Sequence, residues 1–402
     1  MEITTAPIFT PARKNLLTFH GLPLYVYAVS IAALSAMIGI LWDISWHRSI
    51  GRDKFLSPPH LLIYMAAILG GLFSGTRVIV NSFFSPTPNR NALVRVWGIF
   101  YSSLGALFCI WGAVAMLTSA PFDDWWHNAY GLDVKILSPP HVLLTLGMLS
   151  LQFGACVTIS KYMNEIFGKT ATRENYTSRL QLLRFLFIVS ASSLLCMLCT
   201  LGYEYMNTRK MHVALFYQLS SAVFLLMIPA FARALRMKWA MTAIALGYLI
   251  IVAGSNWILQ LFPAEPKLGP VMNHVTNFQP LSFPILFFIP ALATDWLLQN
   301  IQRSDWKLAV LLSLSFLVVT IPVQYSMSSF LLLSPSARNW FFGSYAWNYN
   351  FNPAFPFRFK YLPEETESAA VFMKGIFIAL IMGLLAARAG LKMGKWMQNI
   401  QR

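Results

Sequence analysis

Charge is what this chain has least of. Charged residues occupy 11% of its 402 positions, where a soluble domain carries about 25%. With 57% hydrophobic residues, that shortage excludes a soluble globular protein and points to a chain that lives in lipid. Cysteine is equally sparse. Cys109, Cys156, Cys196 and Cys199 all fall in apolar runs, so no disulfide framework is expected. The i, i+3 spacing of Cys196 and Cys199 puts both on one helical face, as core packing or, in the alternative, as a metal or redox pair. A cleavable signal peptide is also missing from the expectation: residues 1–17 are polar, with Pro11 and Arg13-Lys14 ahead of the first apolar run.

Long apolar runs are what the chain has in abundance. About ten reach spanning length, at roughly 21–42, 60–80, 95–118, 141–160, 183–202, 212–232, 239–261, 281–300, 308–328 and 371–391. The expected fold is all-α: a polytopic integral membrane protein of about ten transmembrane helices, forming one membrane domain over 1–402. Placing the N-terminus inside and alternating sends most of the 30 basic residues to the inner side. They cluster near Arg90 and Arg95, in the loop with Lys161, Lys169, Arg173 and Arg179, at Arg233, Arg236 and Lys238, at Arg303 and Lys307, and at Lys392 and Lys395. Most of the 15 acids fall outside. The positive-inside rule then predicts both termini on the cytoplasmic side of a cell inner membrane. The net charge of +15 reads as topology and contact with the lipid bilayer, with no nucleic acid as partner.

One stretch occurs twice: WDISWHRSIGRDKFLSPPHLLIY from Trp42, and FDDWWHNAYGLDVKILSPPHVLL from Phe122. Each holds an aspartate, a histidine four residues on, a Gly-x-Asp, and Ser-Pro-Pro-His opening the next apolar run. Asp43, His47 and His60 form one set; Asp123, His127 and His141 form the other. The i, i+4 spacing stacks the first aspartate and histidine on one face if the helix continues that far. Ser57-Pro58 and Ser138-Pro139 read as cap and first helical residue, placing His60 and His141 in first turns. The unit is a helix pair, repeated over 21–80 and 95–160, with a degenerate third repeat over 183–232. There Glu204 and His212 keep only the acid and the opening histidine, and Glu265 with His274 mark a weaker fourth outer loop. Residues 329–370 form an aromatic-rich extracytoplasmic loop, expected to lie in the interfacial belt, cover the outer face, or dock on other membrane subunits.

Six of the seven histidines face outward in this topology; His20 is interfacial. Imidazole with carboxylate binds divalent transition metals, and ionisable groups at membrane depth are costly and functional. The candidate metal ligands are therefore Asp43, His47, His60, Asp123, His127 and His141. From these ligands alone copper, iron and zinc are equally compatible, and the outward face favours copper. Two separate sites or one shared centre are both open, and each copy is complete and local. Asp53 and Asp133 either orient an imidazole or solvate the loop beside Arg52 and Lys135, the second being the simpler reading. Trp46, Trp125 and Trp126 read as interfacial anchors and walls. The competing reading of the whole pattern is architectural, with His and Asp paired to hold the outer loops.

The first copy, Asp43-x3-His47-x12-His60 with Ser45, Trp46, Arg52, Asp53, Ser57 and Tyr64 around it, resembles the metal-binding segment of the C subunit of particulate methane and ammonia monooxygenases. The second matches with one residue inserted. The resemblance covers about 25 residues, and this chain departs from the family in having more spans and two such segments. It has no His-x-His pair and no cupredoxin-like stretch, which separates it from the B subunit. The resemblance implies copper, dioxygen, a small apolar or nitrogenous substrate and partner subunits, hence a metal-dependent oxidoreductase of the monooxygenase kind. Two other classes stay open: a structural or assembly subunit, and a metal-ion transporter or delivery protein, for which the methionines and the Cys196/Cys199 pair are the candidate relay, with Asp295 late in the eighth span near the inner side.

Overall fold

Two serines and four prolines fix where the helices carrying the repeated motif begin. Ser57 and Ser138 take extended backbone, and Pro58-Pro59 and Pro139-Pro140 occupy the first two helical positions. Those amides have no acceptor within a helix, so proline there sacrifices nothing and pre-sets φ. The structure, a computed structural model, describes residues 18–84, 93–131, 138–168, 174–300 and 304–401. Its helices are α1 (Leu24–Ser49), α2 (Pro58–Ile79, prolonged by a π-helical turn at Val80–Phe84), α3 (Leu104–Tyr130), α4 (Pro139–Phe167), α5 (Glu174–Leu201), α6 (Ala214–Leu235), α7 (Ala240–Leu259), α8 (Phe288–Asn300), α9 (Asp305–Leu333) and α10 (Ala369–Met397). Among the described residues all but α8 are long and apolar enough to cross a membrane. The fold is all-α and multi-pass; among the described residues its sheet is two small hairpins, Thr18–Pro23 and Val94–Ser102.

Several expected boundaries move. The third span starts at Leu104, because residues 94–102 turn back as a hairpin through Trp97 and Gly98, both at positive φ. Helices α1 and α3 run on to Ser49 and Tyr130, so Asp43, His47, Asp123 and His127 lie inside helical turns. The eighth span is the main correction. Only Phe288–Asn300 is helical, about 20 Å at 1.5 Å per residue. Pro280 and Pro284 lack amide protons and disfavour helix in the residue before them, and residues 280–285 stay non-helical. An irregular segment survives at this depth only if its carbonyls find donors. They do: Tyr248 Oη donates to Pro284 O at 2.9 Å, Gln324 Nε2 to Ile285 O at 2.6 Å and Arg48 Nε to Gln279 O at 3.2 Å. In return the segment places Phe283 and Phe287 in the core, where Phe287 stacks on Phe224 at 3.8 Å between ring centres.

Helices α3 and α4, and α1 and α2, pack in pairs, and small residues let them close. A Cβ on Gly112 would meet Gly147 O at 2.6 Å, and one on Gly147 would meet Gly112 O at 2.8 Å. The backbones of α3 and α4 therefore touch, as small residues permit in membrane helices. Gly39 does the same for α1 against α2, with Ile63 Cγ1 at 2.7 Å. Because the crossings alternate, the ends of α1 and α3 and the starts of α2 and α4 share one face.

The aromatic loop between α9 and α10 makes contacts on that face. Trp257 Nε1 donates to Phe341 O at 2.8 Å and Tyr349 N to Arg48 O at 3.1 Å. Arg209 anchors the far end: Nε reaches Glu365 Oε1 at 2.9 Å and Nη2 reaches Glu365 Oε2 and Lys360 O, both at 2.7 Å. Among the described residues the third repeat forms no cluster able to hold a metal. Glu204 is exposed, and buried His212 is stacked between Tyr325 and Tyr361, with Nε2 donating to Tyr325 O at 3.1 Å.

Two outcomes are expected. Gly147→Val separates α3 from α4 and destabilises the protein by about 1–3 kcal/mol in thermal unfolding, whereas the same change at exposed Gly269, which has open space around it, does not. Burial holds the His212 imidazole below its ordinary value, with the Tyr325 carbonyl opposing. The unfolded chain therefore binds a proton that the folded site refuses, so the stability due to His212 is present above about pH 6.5 and lost below it. The gap in melting temperature between wild type and His212→Asn should shrink as pH falls from about 7.5 to about 5.5.

Candidate metal centres

The first centre is built where α1 ends and α2 begins. Asp43 and His47 stand one turn apart on α1, and His60 occupies the third position of α2. The loop between them is short and pinned. Ile50 N and Gly51 N both donate to Trp46 O, and Trp46 Nε1 donates to Arg52 O at 3.4 Å. Gly51, at φ +98°, lies against Tyr349 and Leu268 so closely that a Cβ would meet Tyr349 Oη at 2.6 Å. Tyr64 Oη ties down the other end by donating to Phe55 O at 3.1 Å.

This loop carries Asp53 into the centre. His60 Nε2 lies 2.8 Å from Asp53 Oδ2 and 3.2 Å from Asp43 Oδ1. His47 Nε2 stands farther out, 3.6 Å from Asp53 and 3.9 Å from Asp43. The tight trio, with one ligand atom from each within 4.8 Å of the others, is Asp43, Asp53 and His60. The reading of Asp53 as a loop-solvating residue is thus corrected: its carboxylate points inward, and His47 is the rim member. Burial pushes the Asp53 carboxyl up, but the neighbouring His47 and His60 imidazoles outweigh it and hold it well below the usual carboxylate range. Asp43 Oδ1 is not aligned for a hydrogen bond despite its proximity to His60, and His60 Nδ1 and Ser57 Oγ are also buried without one.

The second centre repeats the plan at the junction of α3 and α4. His127 Nε2 and His141 Nε2 lie 3.5 and 3.4 Å from the same oxygen, Asp123 Oδ1. That oxygen is buried and has no hydrogen bond. Asp123, His127 and His141 form a trio within 4.8 Å. The Pro-Pro pair explains a further detail. With no amides at the first two helical positions, Ser138 makes no cap bond and its Oγ lies 2.9 Å from His141 Nδ1. That contact fixes the ring so that Nε2 faces Asp123, as a metal-bound histidine needs. His127 Nδ1 is held likewise, 3.3 Å from Gly131 O.

Comparison with known proteins adds nothing to this geometry. No protein family, curated protein or solved structure matches the chain.

The two motifs therefore assemble two clusters rather than one, on one face of the bundle. The partner of Asp53 in the second copy, Asp133, lies outside the described residues, as do Lys135, Arg90, Lys169, Arg173 and Arg303. Glu265 and His274 are exposed and join neither cluster. Trp46 walls the first loop against Phe278, and Trp125 is exposed at the rim of the second. Cys196 and Cys199 are fully buried in the apolar core. Asp295 is occupied by Met241 N, Thr242 N and Thr242 Oγ1. Asp53 could have been found from the sequence by one signal, the recurrence of Gly-x-Asp at matching places in both copies.

The donor set suits a borderline divalent metal: imidazole Nε2 atoms and carboxylate oxygens, no thiolate. Asp53→Asn should weaken divalent metal binding at the first cluster by about 10–100-fold, read by competition with a chromophoric chelator. An unchanged affinity would return Asp53 to the role of loop solvation.

Proposed function

We propose that this chain is a metal-binding integral membrane protein in which each copy of the motif holds one divalent transition metal ion. The observation that carries this reading is the independent convergence of imidazole Nε2 and carboxylate oxygens in both copies, each around a buried carboxylate oxygen that no hydrogen bond satisfies. A buried, unsatisfied anionic oxygen is costly, and a cation placed among the trio would relieve that cost. In the first cluster Asp43, Asp53 and His60 would hold the ion, with His47 at hand. In the second, Asp123, His127 and His141 would hold it.

The proposal extends to the metal and its use. The likeness of the first motif to copper membrane monooxygenases favours copper, and a role within an oxidising complex acting on a small apolar substrate. There the bound metal would supply redox chemistry with dioxygen. The protein's own part is to fix ligand geometry at helix ends, to hold Asp53 ionised, and to pin the first loop by packing Tyr349 and Leu268 on Gly51. In the proposed orientation the clusters face the periplasm and both termini the cytoplasm.

One observation favours a second reading. His60 Nε2 and Asp53 Oδ2 are 2.8 Å apart, a close imidazole–carboxylate ion pair, which is what a purely architectural clasp would show. Elemental analysis of gently purified protein separates the two. The expected result is one transition metal ion per cluster, reduced by His60→Ala, reduced by His141→Ala and abolished by the double variant. Absence of metal from all of them, with unchanged folding, favours the clasp. Zinc or iron in place of copper keeps the sites and removes the oxidising role inferred from the resemblance.

A further inference from the structure

The opposite face carries a second kind of site. Helices α6, α8 and α10 end and α7 begins there, around a cavity of about 460 Å³. Arg233, Arg236 and Lys238 line it, with Met237, Trp239 and Leu298 as its apolar walls. The chain enters and leaves the turn through two left-handed residues, Arg236 at φ +47° and Trp239 at φ +58°. That geometry turns Arg236, Lys238 and Trp239 outward, and all three are exposed.

The charges there do not balance. Arg233 Nη2 binds Asp305 Oδ1 at 2.7 Å, but Asp305 also serves Lys395 at 2.9 Å and Arg388 at 3.9 Å. The other acid on the wall, Asp295, has both oxygens taken by Met241 N and by Thr242 N and Oγ1. Arg236 is held by neutral groups, with Nη2 donating to Gln398 O at 3.0 Å and the guanidinium 4.5 Å over the Phe167 ring. Among the described residues no carboxylate pairs with Arg236 or Lys238. Uncompensated cations beside an apolar wall and an exposed tryptophan, at the end of a membrane helix, fit a phosphate attached to hydrocarbon.

We propose that this cavity is a binding site for the phosphate of an anionic glycerophospholipid. Arg236 and Lys238 contact the phosphate oxygens, and Trp239 and Leu298 flank the glycerol and the first carbons of an acyl chain. A free phosphate ion shares the charged half of that chemistry but makes no use of the apolar half.

The test uses the full chain in mild detergent. Thermal unfolding is followed while phosphatidylglycerol, phosphatidylcholine or inorganic phosphate is added, and the apparent lipid affinity is taken from the shift. Variants are Lys238→Gln, which breaks no internal bond, and Arg236→Asn/Lys238→Gln, where asparagine suits the left-handed backbone. Lys267→Gln/Lys360→Gln on the other face is the charge-matched control. Phosphatidylglycerol should stabilise wild type and control alike and phosphatidylcholine much less. The double variant should lose roughly tenfold or more in affinity, with Lys238→Gln between. Equal response to both lipids, a double variant that behaves as wild type, or equal stabilisation by inorganic phosphate would overturn the lipid site.

Discussion

Everything at the motif face depends on how closely two helix backbones can approach. Gly112 and Gly147 put α3 against α4, and Gly39 lets α1 settle on α2. Only at that separation does an aspartate in the last turns of one helix reach a histidine in the first turn of the next. In lipid there is no hydrophobic force to press helices together, so contact between small residues must do it. The same approach that builds the pair also builds the centre, which is why both copies of the motif give nearly the same arrangement from different flanking sequences.

Proline supplies the complementary constraint. At the second and fourth helices it sits where an amide is superfluous and releases the serine hydroxyl, which at Ser138 meets His141. Between α7 and α9 it sits where an amide would be needed, and the helix fails over 280–285. Side chains then take over from the missing helix: Tyr248, Gln324 and Arg48 satisfy carbonyls that lipid cannot. The result ties the core of the bundle to the first cluster, since Arg48 and Ser49, the two residues after His47, bind the Gln279 backbone.

Much of this was legible in the sequence. Hydrophobic length alone marks the long helices, and the duplicated Asp, His and His positions are brought together at two places. What the sequence did not show is what depends on chain direction rather than composition. Residues 281–300 are apolar enough for a span, and hydropathy does not distinguish an extended strand of Pro, Phe and Leu from a helix; Pro280 and Pro284 were the visible warning. Asp53 looked like a loop charge beside Arg52 because nothing local says that the loop bends inward. That bend is imposed by Gly51 under Tyr349, a contact nearly three hundred residues away in sequence. The aromatic loop was recognisable as no free linker from its composition, but its anchor, buried Glu365 on Arg209, joins two positions with no shared pattern.

The central claim is that Asp and His side chains at the helix ends hold metal. X-ray absorption at the edge of the metal carried by the purified protein tests it most directly. A nitrogen and oxygen ligand shell at about 2.0–2.2 Å, with imidazole scattering and no sulfur at about 2.3 Å, is the result expected of these clusters. A sulfur-dominated shell would place the metal at the buried cysteines instead, and the absence of any metal edge would leave the paired aspartates and histidines as a clasp between helices.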